Sequence, residues 1–391
     1  MARHFGLSAF MIWMERLVVE RRYFVDSTTM PSSQNVQGKL PVRMKALVYR
    51  GTDDLRIEEI PVPPTRAGEV LVRVAACGVC PTDIKKIHQA LVPPPRVFGH
   101  ETSGTIVRVG RGVREFRVGD RVAVHHHIPC LDCHFCRHGA FAQCATYRQT
   151  GVTAGFEPAG GGFAEYVRVL PVCIPGLVRI PRGIEFSEAG MLEPVNTVLK
   201  GVRQLGLQRN DHALVFGQGP IGLLFTRLLA LEGVRVTACD RLVDRCRLAR
   251  RYGARVILDG ASDVPSEVDR VTRGRGMDAV VVAAPSDEAF IQGHRVVRGG
   301  GTTLVFAHTV RGNATPIDLG RICVDEQRVV GSYSSDFTLQ TEVAKLVFSR
   351  RLDVRPLLTH RYSLLNALEA IAKAATPSPD TLKVLVEPST S

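Results

Sequence analysis

The sequence predicts an α/β protein in which a β-rich, barrel-like domain precedes a doubly wound parallel sheet. Short alternating strands broken by Gly and Pro, such as Val70–Ala76, run from Met44 to about Tyr166. Such strands suit a sheet that buries one face. From Lys200 onward, strands that are apolar throughout alternate with helical stretches. This alternation is typical of a parallel sheet covered by helices on both faces.

The second half of the chain supplies the clearest individual elements. Hydrophobic periodicity separates its strands from its helices. The tail Leu382–Glu387 also alternates, and we expect it to form a strand that rejoins the first domain. The predicted strands are Ala213–Phe216, Arg235–Cys239, Arg255–Leu258, Ala279–Ala284 and Thr303–Phe306, and the predicted helices include Ile221–Glu232 and Asp244–Tyr252.

Length and composition limit the possible functions. A chain of 391 residues can hold two domains, and no apolar run approaches the roughly 20 residues of a membrane-spanning helix. The net charge of +12 comes almost entirely from arginine and is scattered along the chain. Because no groove-reading or stacking motif gathers this charge, we expect a solvated basic surface and neither a nucleic-acid nor a membrane partner.

The N-terminal residues differ from the rest. They contain the only tryptophan, Trp13, in a short apolar stretch that Glu15 and Arg16 interrupt. A signal peptide would need an apolar region followed by a small-residue cleavage site, so none is predicted. We expect residues 1–43 to be a disordered extension or the product of a mis-assigned start codon. The other predicted segments are a first domain at 44–198, a second domain at 199–335 and a return to the first domain at 336–391.

Four cysteines form the most specific pattern in the chain. They follow the spacing C-x2-C-x2-C-x7-C in a Gly/His-rich loop. Four thiolates so spaced can close a tetrahedral shell around zinc and leave no position for chemistry. Disulfides and an iron–sulfur cluster are alternatives, but the chain lacks an export signal and the surrounding β domain favours zinc. The predicted ligands of this structural zinc are Cys130, Cys133, Cys136 and Cys144.

A second set of candidate metal ligands is dispersed along the chain. Cys80 follows a strand, His100 and Glu101 lie in a turn, and Glu193 precedes a proline. One thiolate, one imidazole and one or two carboxylates form a mixed shell that can leave a position open for water or substrate. Each residue also has a simpler explanation: a buried thiol, a turn histidine, or a carboxylate stabilised at a helix N-terminus. From the residues alone, both interpretations stay open.

The glycine pattern G-x-G-x-x-G lies between a predicted strand and a predicted helix. There, turn amides and the helix N-terminus can bind a pyrophosphate, which predicts a dinucleotide site. Asp240 ends the next strand, where a carboxylate accepts the ribose hydroxyls, and this favours NAD. Arg241 could accommodate a 2′-phosphate and leaves NADP open. The predicted cofactor-binding residues are Gly217, Gly219, Pro220, Ile221, Gly222, Asp240 and Arg241.

Together these motifs resemble the zinc-dependent medium-chain alcohol dehydrogenase superfamily from Met44 to Ser391. The pair Glu193-Pro194 resembles the polyol and threonine dehydrogenase branch. In that branch a glutamate replaces a cysteine of the alcohol dehydrogenases proper. The resemblance implies a GroES-like catalytic domain at 44–198 and a Rossmann domain at 199–335. The matching segments are Cys-Gly-Val-Cys-x-Thr-Asp at 77–83, Gly-His-Glu at 99–101, Gly-Asp-Arg-Val at 119–122, the four-cysteine group, Gly-Phe-Ala-Glu-Tyr at 162–166 and the glycine turn.

The resemblance also implies a role for each matching residue. Thr82 would pass the proton of the substrate hydroxyl outward, and Asp83 would orient the metal ligands from behind. Zinc would lower the pKa of the bound alcohol, so that a hydride can leave its carbon for the nicotinamide. The implied ligands of the catalytic zinc are Cys80, His100, Glu101 and Glu193, with the two glutamates sharing one position.

The chain departs from the family pattern at several positions. Pro81 replaces the arginine that contacts the pyrophosphate in some relatives, and Lys383 is a candidate substitute. Lys85 stands where many alcohol dehydrogenases end their proton relay with a histidine. Asn196 could face the substrate or the nicotinamide, or cap its helix, which is the simpler interpretation. We assign no ligand role to the run His125–His127.

The sequence therefore predicts an oxidoreductase that transfers a hydride between NAD(P) and a secondary alcohol, namely a polyol, sugar alcohol or amino alcohol. One alternative is a ketone reductase that acts on simple alcohols. Another is a zinc-stabilised binding protein of the same fold without turnover. We expect about two zinc ions per chain, NAD as cofactor with NADP open, and a cytoplasmic location. The resemblance implies a homodimer or homotetramer joined at the sheet edge of the nucleotide domain.

Overall fold

The structure is a computed structural model that describes residues 40–149, 151–157, 160–307, 312–376 and 378–388. The predicted extension at 1–43 lies outside these residues up to position 39. Within the described residues, no helix is both long enough and apolar enough to cross a bilayer.

Curled, largely antiparallel sheets form the first part of the described chain. Gly, Pro and short alternating runs keep the strands brief, as the sequence predicts. The strands are β1 (Arg43–Gly51), β2 (Asp54–Pro61), β3 (Val70–Gly78), β4 (Arg96–Val97), β5 (Glu101–Val109), β6 (Arg121–Val124), β7 (Val152–Thr153), β8 (Tyr166–Val169) and β9 (Leu177–Arg179). The helices are α1 (Pro81–His88), α2 (His134–Arg137), α3 (Ala145–Arg148) and α4 (Phe186–Gly190).

A single helix, α5 (Leu192–Leu205), leads from this part into the next. Apolar residues such as Val195, Val198 and Val202 recur at helical spacing and are buried. The helix ends at Gly206, whose φ of 61° is the left-handed conformation that favours glycine after a helix. The boundary predicted between residues 198 and 199 falls inside α5, so one helix would belong to both predicted domains. The domain limits stay a prediction.

A six-stranded sheet, parallel throughout, follows. Its strand order, β12-β11-β10-β13-β14-β15, reverses direction next to β10, which is the doubly wound arrangement. The strands are β10 (His212–Phe216), β11 (Arg235–Cys239), β12 (Val256–Leu258), β13 (Met277–Val282), β14 (Val297–Val305) and β15 (Arg328–Gly331). The helices are α6 (Pro220–Leu231), α7 (Val243–Arg251), α8 (Val264–Thr272), α9 (Asp287–Arg295) and α10 (Leu319–Cys323).

Both faces of this sheet are buried, which explains its uniformly apolar strands. Along β10, Ala213 and Val215 pack into one core, whereas Leu214 and Phe216 pack into another. Successive side chains of a strand point to opposite faces, so each core covers one side. The predicted α/β fold class is confirmed.

The chain then returns to the antiparallel sheet. Strand β17 (Lys383–Glu387) pairs with β3 in antiparallel fashion and with β16 (Leu358–Ser363) in parallel fashion. Strand β17 thus joins the antiparallel sheet, as expected for Leu382–Glu387, while the domain bounds 336–391 stay a prediction. The helices of this segment are α11 (Gln340–Phe348) and α12 (Ala367–Ala375).

Candidate active site

Three candidate metal ligands meet where β3 ends and β5 begins. Antiparallel pairing sets Gly78 opposite Glu101, so two motifs that are distant in sequence become neighbours. One potential ligand atom from each of Cys80, His100 and Glu101 lies within 4.8 Å of the other two. A thiolate, an imidazole and a carboxylate at this separation fit the donor set of a catalytic zinc with an open position.

Helix α1 fixes the thiol and the imidazole. Cys80 caps its N-terminus, and its sulfur accepts a hydrogen bond from the backbone amide of Thr82 at 3.5 Å. Asp83, on the first turn, is buried and lies 3.1 Å from Nδ1 of His100. A carboxylate on one ring nitrogen orients a histidine and leaves the other nitrogen for a metal. Thr82 is half-buried beside the cysteine.

The neighbouring Cys77 differs from Cys80. It is fully buried in the hydrophobic core, and its sulfur lies 3.4 Å from the Thr102 hydroxyl. Burial raises the pKa of the Cys77 thiol to about 12, so this residue stays a neutral thiol. Of the two cysteines in the Cys-Gly-Val-Cys motif, only Cys80 belongs to the ligand group.

Glu101 forms a buried ion pair with Lys383. Nζ of Lys383 lies 2.6 Å from Oε1 of Glu101, and both side chains are almost inaccessible. The ammonium also donates to the carbonyl of Val79 at 3.4 Å. The C-terminal strand carries this ammonium to Glu101, because β17 pairs with β3. The contact between Lys383 and a pyrophosphate stays a prediction.

Glu193 lies in the first turn of α5 and is buried. Burial raises its pKa to about 7, and the nearby carboxylate of Glu101 adds to this shift. Among the described residues, Glu193 is not part of the compact group formed by Cys80, His100 and Glu101. A direct contact between Glu193 and the metal stays a prediction.

The four cysteines of the C-x2-C-x2-C-x7-C pattern converge in a separate lobe. Their sulfur atoms lie within 4.8 Å of one another. The distance between Sγ atoms is 3.9 Å for Cys130 and Cys136, 3.5 Å for Cys133 and Cys136, and 3.7 Å for Cys144 and Cys130. A tetrahedron with Zn–S bonds of about 2.3 Å has edges of about 3.8 Å, so the sulfur positions fit a closed zinc site.

The lobe is anchored to the loop after β15 by Tyr147 of α3. The Tyr147 hydroxyl lies 2.8 Å from the hydroxyl oxygens of Ser334 and Ser335. The Ser335 hydroxyl in turn lies 3.2 Å from Nε2 of His125. The ring of His127 stacks on Tyr147 with a centroid distance of 4.8 Å. These contacts join the cysteine lobe, the histidine run and the nucleotide-binding part.

The glycine turn follows β10 and opens α6. Gly217 has a φ of 85°, and a Cβ there would lie 2.9 Å from Cβ of Ala284. At Gly222 a Cβ would lie 1.6 Å from the carbonyl oxygen of Gly217. A Cβ on Gly219 would meet only Arg245, at 3.7 Å, so this side of the turn is open. Pro220 and Ile221 form the first turn of α6, where the backbone N–H groups, except at Pro220, which has none, can bind an anion.

Asp240 stands at the end of β11 beside this turn. Its carboxylate accepts hydrogen bonds from the backbone amides of Gln218 at 2.5 Å and Leu242 at 2.8 Å. The negative charge is thereby fixed next to the predicted ribose site. Arg241 is exposed beside it. The arrangement suits ribose hydroxyls, while Arg241 leaves room for a 2′-phosphate.

The structure shows contacts of two residues that sequence reasoning missed. Nη2 of Arg245 donates to the carbonyls of Ser378 and Thr381, and its Nη1 lies beside Gly219. His126 is buried with its ring centroid 4.9 Å from that of His100. Arg245 lies five residues after Asp240 on a predicted helix, and this position could have identified it as a neighbour of the glycine turn. No sequence signal places His126 against His100, because that contact depends on strand pairing.

Asn196 has a structural role. Its Oδ1 accepts from the backbone amide of Asp336 at 2.8 Å, and its Nδ2 donates to Oε1 of Gln340 at 3.0 Å. The residue lies inside α5, whose N-cap is Met191. The cap interpretation is therefore wrong, because the amide ties α5 to Asp336 and to the first residue of α11. A contact of Asn196 with the substrate or the nicotinamide stays a prediction.

The fold and the site define a class of protein: a zinc-binding dehydrogenase that uses a nicotinamide dinucleotide. A family model described as alcohol dehydrogenase GroES-like domain matches residues 66–181, and one described as zinc-binding dehydrogenase matches residues 220–349. The chain is 31% identical over 343 residues to D-xylulose reductase A of Aspergillus oryzae, covering 83% of this chain and 92% of that protein. The chain belongs to the zinc-dependent medium-chain alcohol dehydrogenase superfamily.

Two further relatives agree with this assignment. Sorbitol dehydrogenase of Bacillus subtilis is 29% identical over 358 residues, which cover 89% of this chain and 98% of that protein. A solved structure from Sinorhizobium meliloti, described as a zinc-binding dehydrogenase bound to NADP, superposes with a TM-score of 0.80 at 29% identity. The superposition covers 88% of this chain and 99% of that chain. Zinc and NAD(P) are thus the cofactors of the class.

The cysteine lobe predicts the metal content. Replacing Cys136 with serine should lower zinc from about two ions to about one per chain, because three thiolates no longer close the shell. Elemental analysis of the purified protein measures this ratio. Cys323→Ser removes an exposed thiol outside the lobe and should leave the zinc content unchanged. Equal zinc in Cys136→Ser and the parent protein would contradict a metal at this lobe.

The carboxylate of Asp240 predicts the cofactor preference. Asp240→Ala should weaken NAD binding by about tenfold, since hydrogen bonds to the ribose are lost. NADP should lose less affinity, because repulsion of the 2′-phosphate disappears as well. Calorimetric titration with both cofactors gives the ratio of dissociation constants, and Asp244→Ala, an exposed carboxylate on α7, is the control. An unchanged ratio would mean that Asp240 does not select between the cofactors.

Proposed function

We propose that the protein is an NAD(P)-dependent zinc dehydrogenase that interconverts a secondary hydroxyl of a polyol and the corresponding ketone. The observation that carries this proposal is the convergence of Cys80, His100 and Glu101 into one group. The relatives named sorbitol dehydrogenase and D-xylulose reductase support a polyhydroxy substrate. Nothing in these relatives supports a binding protein without turnover.

The chain's own residues supply ligands and positioning. We assign Cys80, His100 and Glu101 as ligands of a catalytic zinc and Glu193 as a nearby carboxylate that exchanges with substrate or water. The zinc, when bound, lowers the pKa of the alcohol hydroxyl. Asp83 holds the His100 ring through Nδ1, which fixes the orientation of the metal-facing nitrogen.

The remaining steps move one proton and one hydride. Thr82, which is half-buried two residues after Cys80, accepts the hydroxyl proton of the substrate while its own hydroxyl proton passes outward to solvent. NAD(P)⁺, when bound, would supply the acceptor for the hydride of the substrate carbon, so that the alcohol becomes a ketone and NAD(P)⁺ becomes NAD(P)H. The glycine turn and Asp240 would hold the adenosine end of the cofactor and so position the nicotinamide relative to Cys80, His100 and Glu101.

The proposal also includes the cellular compartment and the oligomeric state. None of the ten cysteines, all within the described residues, forms a disulfide, which supports a reducing compartment and hence the cytoplasm. Apolar side chains near the edge strand β15 are exposed: Leu319 by 71%, Val324 by 80% and Tyr333 by 66%. An exposed apolar patch beside an unpaired sheet edge supports a homodimer formed through this edge.

A substrate panel tests the activity. Sorbitol or xylitol with NAD or NADP should produce the absorbance of the reduced nicotinamide, and Cys80→Ser should abolish it because a metal ligand is lost. The charge-reversed Arg270→Glu, on the exposed face of α8, should keep the activity. Binding of nucleic acid without turnover of any alcohol would refute the enzyme assignment.

A second test addresses the assembly. Val324→Glu should shift the protein from dimer to monomer, because a carboxylate would be buried without a partner in the interface. Light scattering coupled to gel filtration measures the mass. Leu365→Glu changes an apolar residue of similar exposure in the antiparallel part, and should leave the dimer intact. A parent protein that is already monomeric, or a Val324→Glu dimer, would exclude this interface.

A further inference from the structure

Lys383 reaches the metal site from the last strand of the chain. The amide of Val79 donates to the carbonyl of Val384 at 2.9 Å, which places β17 directly beside the segment that carries Cys80. The ammonium lies 2.6 Å from Oε1 of Glu101 and 3.4 Å from the carbonyl of Val79. Lys383 therefore contacts one predicted metal ligand and the residue that precedes another.

The ion pair between Lys383 and Glu101 is almost completely shielded from solvent. The side chains of Lys383 and Glu101 are 3% and 2% exposed. Transferring two charges from water into such a place is expensive, and a buried pair that only stabilised the fold could be replaced by apolar side chains at little loss. The ion pair lies where β3, β5 and β17 meet, and this position indicates a role in the group formed by Cys80, His100 and Glu101.

The two oxygens of Glu101 are not equivalent. Oε1 accepts from Lys383, whereas Oε2 is buried and has no hydrogen-bond partner among the described residues. Oε2 also packs against Gly78, where a Cβ would lie 1.9 Å away, so a side chain at residue 78 would displace the carboxylate. A buried carboxylate oxygen without a partner carries a large desolvation penalty, which a cation would remove.

We propose that Lys383 is a positioning residue that holds Oε1 of Glu101 and leaves only Oε2 for the catalytic metal. A carboxylate can bind a metal through one oxygen or both. With Oε1 held by the ammonium, Glu101 occupies a single position in the metal shell, and a position stays open for the substrate hydroxyl. This inference rests on the proposed metal site at Cys80, His100 and Glu101.

Removal of the ammonium has a definite consequence. In Lys383→Met, Oε1 loses its partner while it remains buried, and the metal becomes the nearest cation. Both oxygens then bind the metal, and the substrate has to displace one of them. The effect should appear in the coordination of the metal and in KM for the polyol, while cofactor binding should stay unchanged because the glycine turn is untouched.

Cobalt substitution provides the direct readout, because zinc has no d–d absorption and cobalt does. Tetrahedral cobalt absorbs visible light more strongly than five-coordinate cobalt. We expect Lys383→Met to lower the visible absorbance of the cobalt protein and to raise KM for sorbitol by about 10- to 100-fold. Lys383→Arg can still donate to Oε1 and should restore most of both values.

Lys373 provides the matched control. Lys373 lies on α12, away from the metal ligands, and its Nζ is 3.4 Å from Oδ2 of Asp380. Lys373→Met should leave the cobalt spectrum and KM as in the parent protein. Circular dichroism checks that each variant is folded. If Lys383→Met does not fold, Lys383→Gln replaces it, since its shorter neutral amide cannot reach both Val79 and Glu101.

The outcomes separate this inference from the proposed function. A folded Lys383→Met or Lys383→Gln variant with the parent cobalt spectrum would overturn it. So would a weaker Kd for NAD with an unchanged spectrum, since Lys383 would then act on the pyrophosphate. The proposed function fails separately, if the parent protein turns over no alcohol or if Cys80→Ser leaves the cobalt spectrum unchanged.

Discussion

The antiparallel pairing of β3 with β5 is the constraint on which the active site depends. It sets Gly78 opposite Glu101, so the motif that ends in Cys80 and the turn that contains His100 meet at one end of the sheet. Strand β17 adds to β3 at the same end and contributes Lys383. A slip of one residue in either pairing would turn these side chains to the opposite face of the sheet. The metal group is thus a product of strand register.

Helix α5 connects this metal group to the dinucleotide site. Its first turn carries Glu193, and its middle packs closely on α6, since a Cβ at Gly201 would lie 2.8 Å from the ring of Phe225. Helix α6 begins at the glycine turn. A closely packed helix pair therefore runs from Glu193 to the glycine turn, where a pyrophosphate is predicted to bind. Hydride transfer requires such fixed spacing between the substrate carbon and the nicotinamide.

Short sequence patterns predicted the features that depend on residues close together in the chain. Uniformly apolar strands predicted the two-faced sheet, the glycine pattern predicted the turn before α6, and the cysteine spacing predicted a lobe whose sulfur atoms lie at tetrahedral distances. The failures concern side chains whose partners are far away in sequence. Lys383 pairs with Glu101 across 282 positions, and Asn196 bonds to Asp336 across 140. Such partners follow from strand order and helix docking, which periodicity within one element does not report.

The distribution of buried charge explains why the site is built this way. Asp83, Glu101 and Glu193 are all buried near Cys80, and burial has already raised the pKa of Glu193 to about 7. So many acidic groups in one dry region repel one another unless cations balance them. Lys383 and, when protonated, His100 supply positive charge from the chain, and a divalent metal held by Cys80, His100 and Glu101 would supply more. A cluster of buried acidic groups costs folding stability, and the same cluster would provide affinity for a divalent metal, which is how stability is exchanged for function at a catalytic centre.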